Sequence, residues 1–197
     1  MRLFTLPSAL LCAFTFTPRS IVFLVCLFGS PLALCDQNDS RLDNLFSQLK
    51  QSENAGVILS TESQIWEIWL QHANDDVEQL MTLGTQRMNV QNYTEALLVF
   101  SQIIKNFPGY AEGWNKRATL YFLIGNLDAS LADIKKTLEL EPRHFGALSG
   151  LGMVYIQRED LSKAKQAFED LIEVHPNSPN AQQNLEIVSE QLRFSII

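Results

Sequence analysis

The side chains best suited to chemistry in this 197-residue chain are three histidines (His72, His144, His175), two close carboxylate pairs (Glu139 with Glu141, Glu159 with Asp160) and three cysteines (Cys12, Cys26, Cys35). Imidazole beside carboxylate is the material of general acid–base catalysis and of metal ligation, and a thiolate is a nucleophile. Spacing argues against each. The histidines lie far apart, without the close grouping of a metal motif, and His144 and His175 fall in turns, where a solvated or helix-capping role is expected. The carboxylate pairs fall at helix ends and turns with no partner base, so they read as solvated charges. All three cysteines precede residue 36, which removes thiolate catalysis, cysteine-ligated zinc and disulfides from the rest of the chain. No glycine-rich phosphate loop, nucleophile elbow or dinucleotide fingerprint is present. The expectation is a protein that is not an enzyme, with no catalytic residue, metal, cofactor or small-molecule substrate.

Such a chain must act through its surface, so the elements that shape that surface come next. An apolar content of 46% excludes a disordered chain. Net charge is −7, and residues 1–35 hold Arg2 and Arg19 but no acid, so the remainder carries −9. Phosphate binding needs a basic surface, which argues against nucleic acid as a partner.

Residues 1–35 read as a signal peptide or N-terminal anchor: early arginines, an apolar run from Ile21 to Phe28 continuing to Leu34, and Ala33 placed for cleavage after Cys35. A second apolar stretch, from Leu3 to Thr17, is cut off by Pro18-Arg19-Ser20, and neither stretch reaches the roughly 18–20 residues of a spanning helix. Export is expected, to a bacterial periplasm or an equivalent space; the alternative is membrane attachment through an uncleaved N-terminus. Leu32-Ala33-Leu34-Cys35 resembles the lipobox of bacterial lipoproteins, but Leu34 stands where that motif has a small residue. Asn38-Asp39-Ser40 and Asn92-Tyr93-Thr94 fit the glycosylation tripeptide, a pattern short enough to arise by chance.

The strongest signal is a period of 34. Pro108, Pro142 and Pro176 keep that step, as do Leu80, Trp114 and Leu148; Gly84, Ala118 and Gly152; Ala96, Ser130 and Ala164; and Phe100, Ile134 and Phe168. Within each copy the first matched positions fall at i, i+3, i+4 and i+7, one face of a helix, and the later ones at i and i+4 on a second helix. Each copy is therefore a helix pair, closed by a proline that ends the second helix. Glycine inside a helix costs about 1 kcal/mol relative to alanine, so Gly84 and Gly152 imply a neighbouring helix too close for a side chain, faced by the small residues Ala96, Ser130 and Ala164. Asp75 with Glu78 reads as a helix-starting capping pair.

These residues resemble the tetratricopeptide repeat (TPR), whose pattern runs W-x2-L-G-x2-Y, then A-x3-F, then P. The resemblance implies an all-α solenoid of three helix-turn-helix repeats at 77–110, 111–144 and 145–178. Residues 36–76 would form N-terminal helices, a degenerate repeat or a cap, and 179–197 a C-terminal capping helix that buries Ala181, Leu185, Val188 and Leu192. Over 40–74 the register fails: Lys50 and Glu62 fall on small-residue positions and Asn74 on the proline position. There Ile65, Trp66, Ile68 and Trp69 form an aromatic patch expected to pack against the first repeat. The stretches Trp114-Asn115-Lys116-Arg117-Ala118 and Pro142-Arg143-His144-Phe145-Gly146-Ala147 are similar to a group of exported bacterial TPR proteins.

The resemblance further implies a concave groove lined by the first helix of each pair. Its expected partner-binding residues are Met81, Thr85, Met88, Glu112, Asn115, Lys116, Thr119, Phe122, Leu123, Ser149, Met153 and Ile156, with Glu78, Thr82, Asn89, Gly146, Gly150 and Gln157 on the same face. The carboxylate clamp that grips chaperone tails in this family is missing, since Met81 and Thr85 replace its lysine and asparagine and Gly146 and Gly150 replace two basic residues. The implied function is a non-catalytic protein–protein interaction adaptor holding a polypeptide segment. The alternative is a self-associating solenoid whose groove is filled by its own chain or a second copy.

Overall fold

The computed structural model describes residues 36–194; the expected signal segment lies outside them. Among the described residues there are nine α-helices and no strand. They are α1 (Arg41–Gln51), α2 (Ala55–Leu70), α3 (Asp75–Asn89), α4 (Tyr93–Asn106), α5 (Ala111–Leu123), α6 (Leu127–Leu140), α7 (Phe145–Gln157), α8 (Leu161–Val174) and α9 (Pro179–Phe194). Helices α3 to α8 form three consecutive pairs, and α9 packs on α8.

The turn inside each pair is built the same way three times. Gln91, Gly125 and Glu159 take the left-handed backbone conformation, with φ of 59°, 77° and 59°, and let the chain double back. The next residue, Asn92, Asn126 or Asp160, caps the following helix by accepting the backbone N–H three residues on. Asn92, part of a glycosylation tripeptide, is thus engaged as a helix cap. For α3 the cap is Asn74, which accepts from Asp76 N at 2.8 Å, rather than Asp75. Glu78 instead accepts the N–H of His72 at 3.2 Å.

Within a pair, size matching sets the approach of the two helices. A Cβ added at Gly84 would lie 2.5 Å from the Phe100 ring, and one at Gly152 only 2.4 Å from the Phe168 ring. The crowding groups are therefore these phenyl rings rather than Ala96 and Ala164. In the middle pair Ile134 replaces the ring, Ala118 replaces the glycine, and Ser130 Oγ donates to Ala118 O at 2.9 Å. Gly152→Ala is expected to destabilise by about 1–2 kcal/mol, overpacking outweighing the gain in helix propensity. Adding Phe168→Ile, which copies the middle pair, should recover part of the loss; a double-mutant cycle in urea reads the coupling.

Between pairs, each first helix beds on the second helix of the pair before it. The positions that do so are Gly113, Ala147 and Ala181, and one helical stretch further on Leu120, Val154 and Val188, all of them buried. Their counterparts in α3 are Gln79 and Gln86, both exposed. Among the described residues no helix stacks there. Helix α9 closes the other end as expected, burying Ala181 and Val188 fully and Leu185 and Leu192 in part, with Gln182, Glu186, Glu190 and Arg193 exposed.

Helices α1 and α2 are not a stacked repeat. They form a hairpin strap across the turns between the pairs, where Gly109, Arg143 and Asn177 recur at the 34-residue step. Just before α1, Gln37 donates to Gly109 O (2.6 Å) and accepts from Ala111 N (3.2 Å), capping α5 in place of Tyr110, whose side chain makes no cap bond. In α1, Asp43 accepts from Arg143 (2.7 Å), whose guanidinium also covers the Phe46 ring at 4.4 Å. Past α1, Ser52 O accepts from Asn177 Nδ2 (2.8 Å). Helix α2 returns along the same turns: Glu62 pairs with His175, Trp69 stacks on His144 with ring centroids 4.1 Å apart, and Trp69 O accepts from Tyr110 Oη at 2.9 Å. The aromatic patch therefore packs on the start of the third pair, against His144 and Phe145, and not on the first.

Candidate functional site

The face lined by α3, α5 and α7 carries the expected binding residues, and the strap divides them. Nearest the strap the face is sealed. Met81 lies in the core with Val77 and Phe100, 4% exposed. Glu112 (1%) and Asn115 (7%) are also buried. These three were expected to line an open groove. Met81 is covered by the core of its own pair, and Glu112 and Asn115 because the first turns of α5 and α7 lie under α2, where Trp66 comes so close that a Cβ on Gly146 would be 2.6 Å from its ring.

Under the strap, Glu112 is the centre of a polar network. Its Oε2 accepts from Asn115 Nδ2 at 2.9 Å and pairs with His144 Nε2 at 3.0 Å. Lys116 Nζ stands 3.2 Å from Oε1, a charge contact rather than an aligned hydrogen bond. His144 Nδ1 accepts the N–H of Ala147 (3.1 Å), capping α7, so in the neutral ring the proton resides on Nε2 and is donated to Glu112. Burial pushes the Glu112 carboxyl up, but the His144 hydrogen bond, the Lys116 charge and the Asn115 amide together outweigh it and hold the carboxyl below its ordinary value.

Other side chains with chemical potential are also engaged structurally. Glu141, expected to be solvated, is 2% exposed and holds Arg143, which in turn raises the Arg143 pKa. His175, 1% exposed, faces Glu62, and His72 Nδ1 accepts from Asn74 N at 3.0 Å. Burial pushes the Tyr110 hydroxyl well above the usual phenol range. Among the described residues no group of three or more His, Cys, Asp and Glu is placed to hold a metal ion.

Beside and beyond the strap the face is open in two clefts. One, of about 750 Å³, lies between α2 and α3; it brings together Met81, Thr85 and Lys116 from the expected set with Trp66, Glu67, Leu70 and Glu78. The α2 residues in it were not anticipated. The signal that points to them is Gly146, a glycine on a groove position in the first turn of a helix, where only a close neighbour explains the missing side chain. The second cleft, of about 240 Å³, lies between α5 and α7 and unites Asn115, Thr119, Phe122, Ser149 and Met153, floored by Gly146 and Gly150. Leu123, 52% exposed at the C-terminus of α5, lines neither cleft. Met88 and Ile156 are half-buried against the first and third pairs and line neither cleft.

Comparison with known proteins agrees with this architecture. Two tetratricopeptide repeat family models match, one over residues 81–144 and one over 125–185. A TPR repeat-containing protein of Rhizobium etli is 30% identical over 204 residues, covering 98% of this chain and 96% of that one. Among solved structures, the first TPR domain of Spaghetti (RPAP3) bound to an HSP90 peptide, SRMEEVD, superposes with TM-score 0.56 at 23% identity, over 58% of this chain and 90% of that one. The Yersinia enterocolitica type III secretion chaperone SycD with a peptide of the translocator YopD gives TM-score 0.57 at 15% identity, over 60% and 96%. At these identities the structures speak for the fold. The 34-residue period, the three helix pairs with their repeated turns and a relative matched along nearly its whole length place this chain in the tetratricopeptide repeat family.

Proposed function

We propose that this chain is a non-catalytic protein–protein interaction adaptor, exported by way of residues 1–35 to a bacterial periplasm or held at the membrane through them. It holds a segment of another polypeptide on the part of its groove that the strap leaves open. The observation that carries this reading is the open strip of α5 and α7: exposed Met153 and half-buried Phe122 line one cleft, and exposed Leu123 follows at the C-terminus of α5. Similar folds are solved with peptides, an HSP90 peptide in one case and a peptide of a translocator in the other. Exposed apolar groups gathered on one face are the usual mark of a partner surface, and methionine adapts to irregular partners.

The test is affinity capture from an envelope extract of the host, wild type beside Met153→Asp. A protein held by the wild type and lost by the variant, with helical content unchanged, supports the adaptor. Equal capture by both would place binding elsewhere. The second reading, a self-associating solenoid, has one observation in its favour: α2 already lies against Gly146. Light scattering separates the two, because a concentration-dependent dimer that Met153→Asp dissolves would favour self-association.

A further inference from the structure

The charges around the open strip restrict what it can hold, and this inference rests on the adaptor reading above. The one lysine on the groove face, Lys116, is spent on Glu112, whose buried carboxylate it neutralises. Helix α7 contains no Asp, Glu, Lys or Arg. The α5–α7 cleft is lined only by neutral side chains. On α2, α3 and α9 the exposed charges are mostly carboxylates, Glu67, Asp75, Asp76, Glu78, Glu186 and Glu190 against the single cation Arg193. The positions where the clamp of this family would hold a terminal carboxylate carry no cation: they are Met81 and Thr85 on α3 and Gly146 and Gly150 on α7.

We propose that the strip takes a segment with one large apolar side chain seated between Phe122 and Met153 and with basic, not acidic, residues on its flanks. The volume of the cleft, about 240 Å³, suits a single leucine- or phenylalanine-sized group. Ser149 and Gly150 on its floor allow a backbone to come close. An acidic tail would instead meet a surface with an excess of carboxylates and a lysine already paired.

Fluorescence anisotropy with three synthetic probes tests this: Lys-Lys-Ala-Leu-Leu-Ala-Leu-Leu-Ala-Lys-Lys, the same core flanked by Glu-Glu, and the acidic peptide SRMEEVD. The Lys-flanked probe should bind at least about tenfold tighter than the Glu-flanked one, and SRMEEVD should not bind measurably. Phe122→Ala and Met153→Ala, each checked by circular dichroism, should weaken the Lys-flanked probe by about tenfold, the loss expected for one buried apolar anchor. Insensitivity to both substitutions would mean that the probe merely associates with an acidic protein, and overturns the assignment. Equal binding of the Lys- and Glu-flanked probes, or binding of SRMEEVD, would overturn the charge preference while leaving the adaptor reading intact. Binding of no probe alongside successful envelope capture would defeat this inference alone; failure of both would remove the adaptor reading with it.

Discussion

Replacing Trp69 with alanine is expected to lower the unfolding free energy by about 3–5 kcal/mol, the usual cost of removing a fully buried aromatic side chain. Trp69 is 1% exposed and stacks on His144, while also meeting Trp66, Phe46 and Phe145. Those contacts join the strap to the start of the third pair, so the loss falls on the joint between them. In urea the midpoint should fall by about 1 M or more. The exposed face of α2 supplies the control, since Leu59→Ala, at a position 66% exposed, should change stability by no more than about 0.5 kcal/mol. A Trp69→Ala effect as small as the control's would show that the strap does not rest on the repeats in solution. The consequence for function is direct. A firmly seated strap keeps Glu112 closed and confines the open groove to the α2–α3 cleft and the α5–α7 strip.

The second large effect is expected at Glu112. Glu112→Ala removes the group that satisfies His144, Asn115 and Lys116 together, and breaking a buried pair on one side costs about 3 kcal/mol or more. Glu112→Gln keeps the shape and isolates the charge, so it serves for the pH dependence. The folded-state pKa of Glu112 lies below its ordinary value of 4.5. Between those two values the unfolded chain binds more protons than the folded one, so stability rises with pH there. The contribution is complete above about pH 4.5 and is lost as pH falls through the folded-state value. Wild type should therefore lose stability on acidification below pH 4.5 more steeply than Glu112→Gln, measured as urea midpoints from pH 3 to 7. Parallel curves would mean that the Glu112 carboxylate is not selectively held by its partners.

Much of the fold was legible because a solenoid repeats its contacts at a constant offset. The 34-residue step placed Pro108, Pro142 and Pro176 at the ends of the second helices and marked Gly84 and Gly152 as points of close approach. It also carried a signal at the front of the solenoid, where exposed Gln79 and Gln86 replace the buried Gly113 and Leu120, so that α3 offers no apolar seat to a preceding pair. The candidate site was less legible. Helical phase put Met81, Glu112 and Asn115 on the groove face, but phase says only which way a side chain points, not what comes to cover it. Glu141 read as solvated for the same reason: nothing near it in sequence announces that it is buried beside Arg143 under α1.

The sequence by itself determined the helix pairs, their turns, the close approach at Gly84 and Gly152 and the capping helix, all of which depend on neighbours within one repeat or one period away. Only the tertiary structure decided where α1 and α2 lie. Their bonds to the turns link residues 72, 100 and 125 positions apart, as in Gln37 to Gly109, Asp43 to Arg143 and Ser52 to Asn177. Those separations follow no period, because the strap crosses the repeats instead of extending them. Their partners are chosen by shape and by unmet hydrogen-bonding groups at the folded surface, which exist only once the three pairs have stacked.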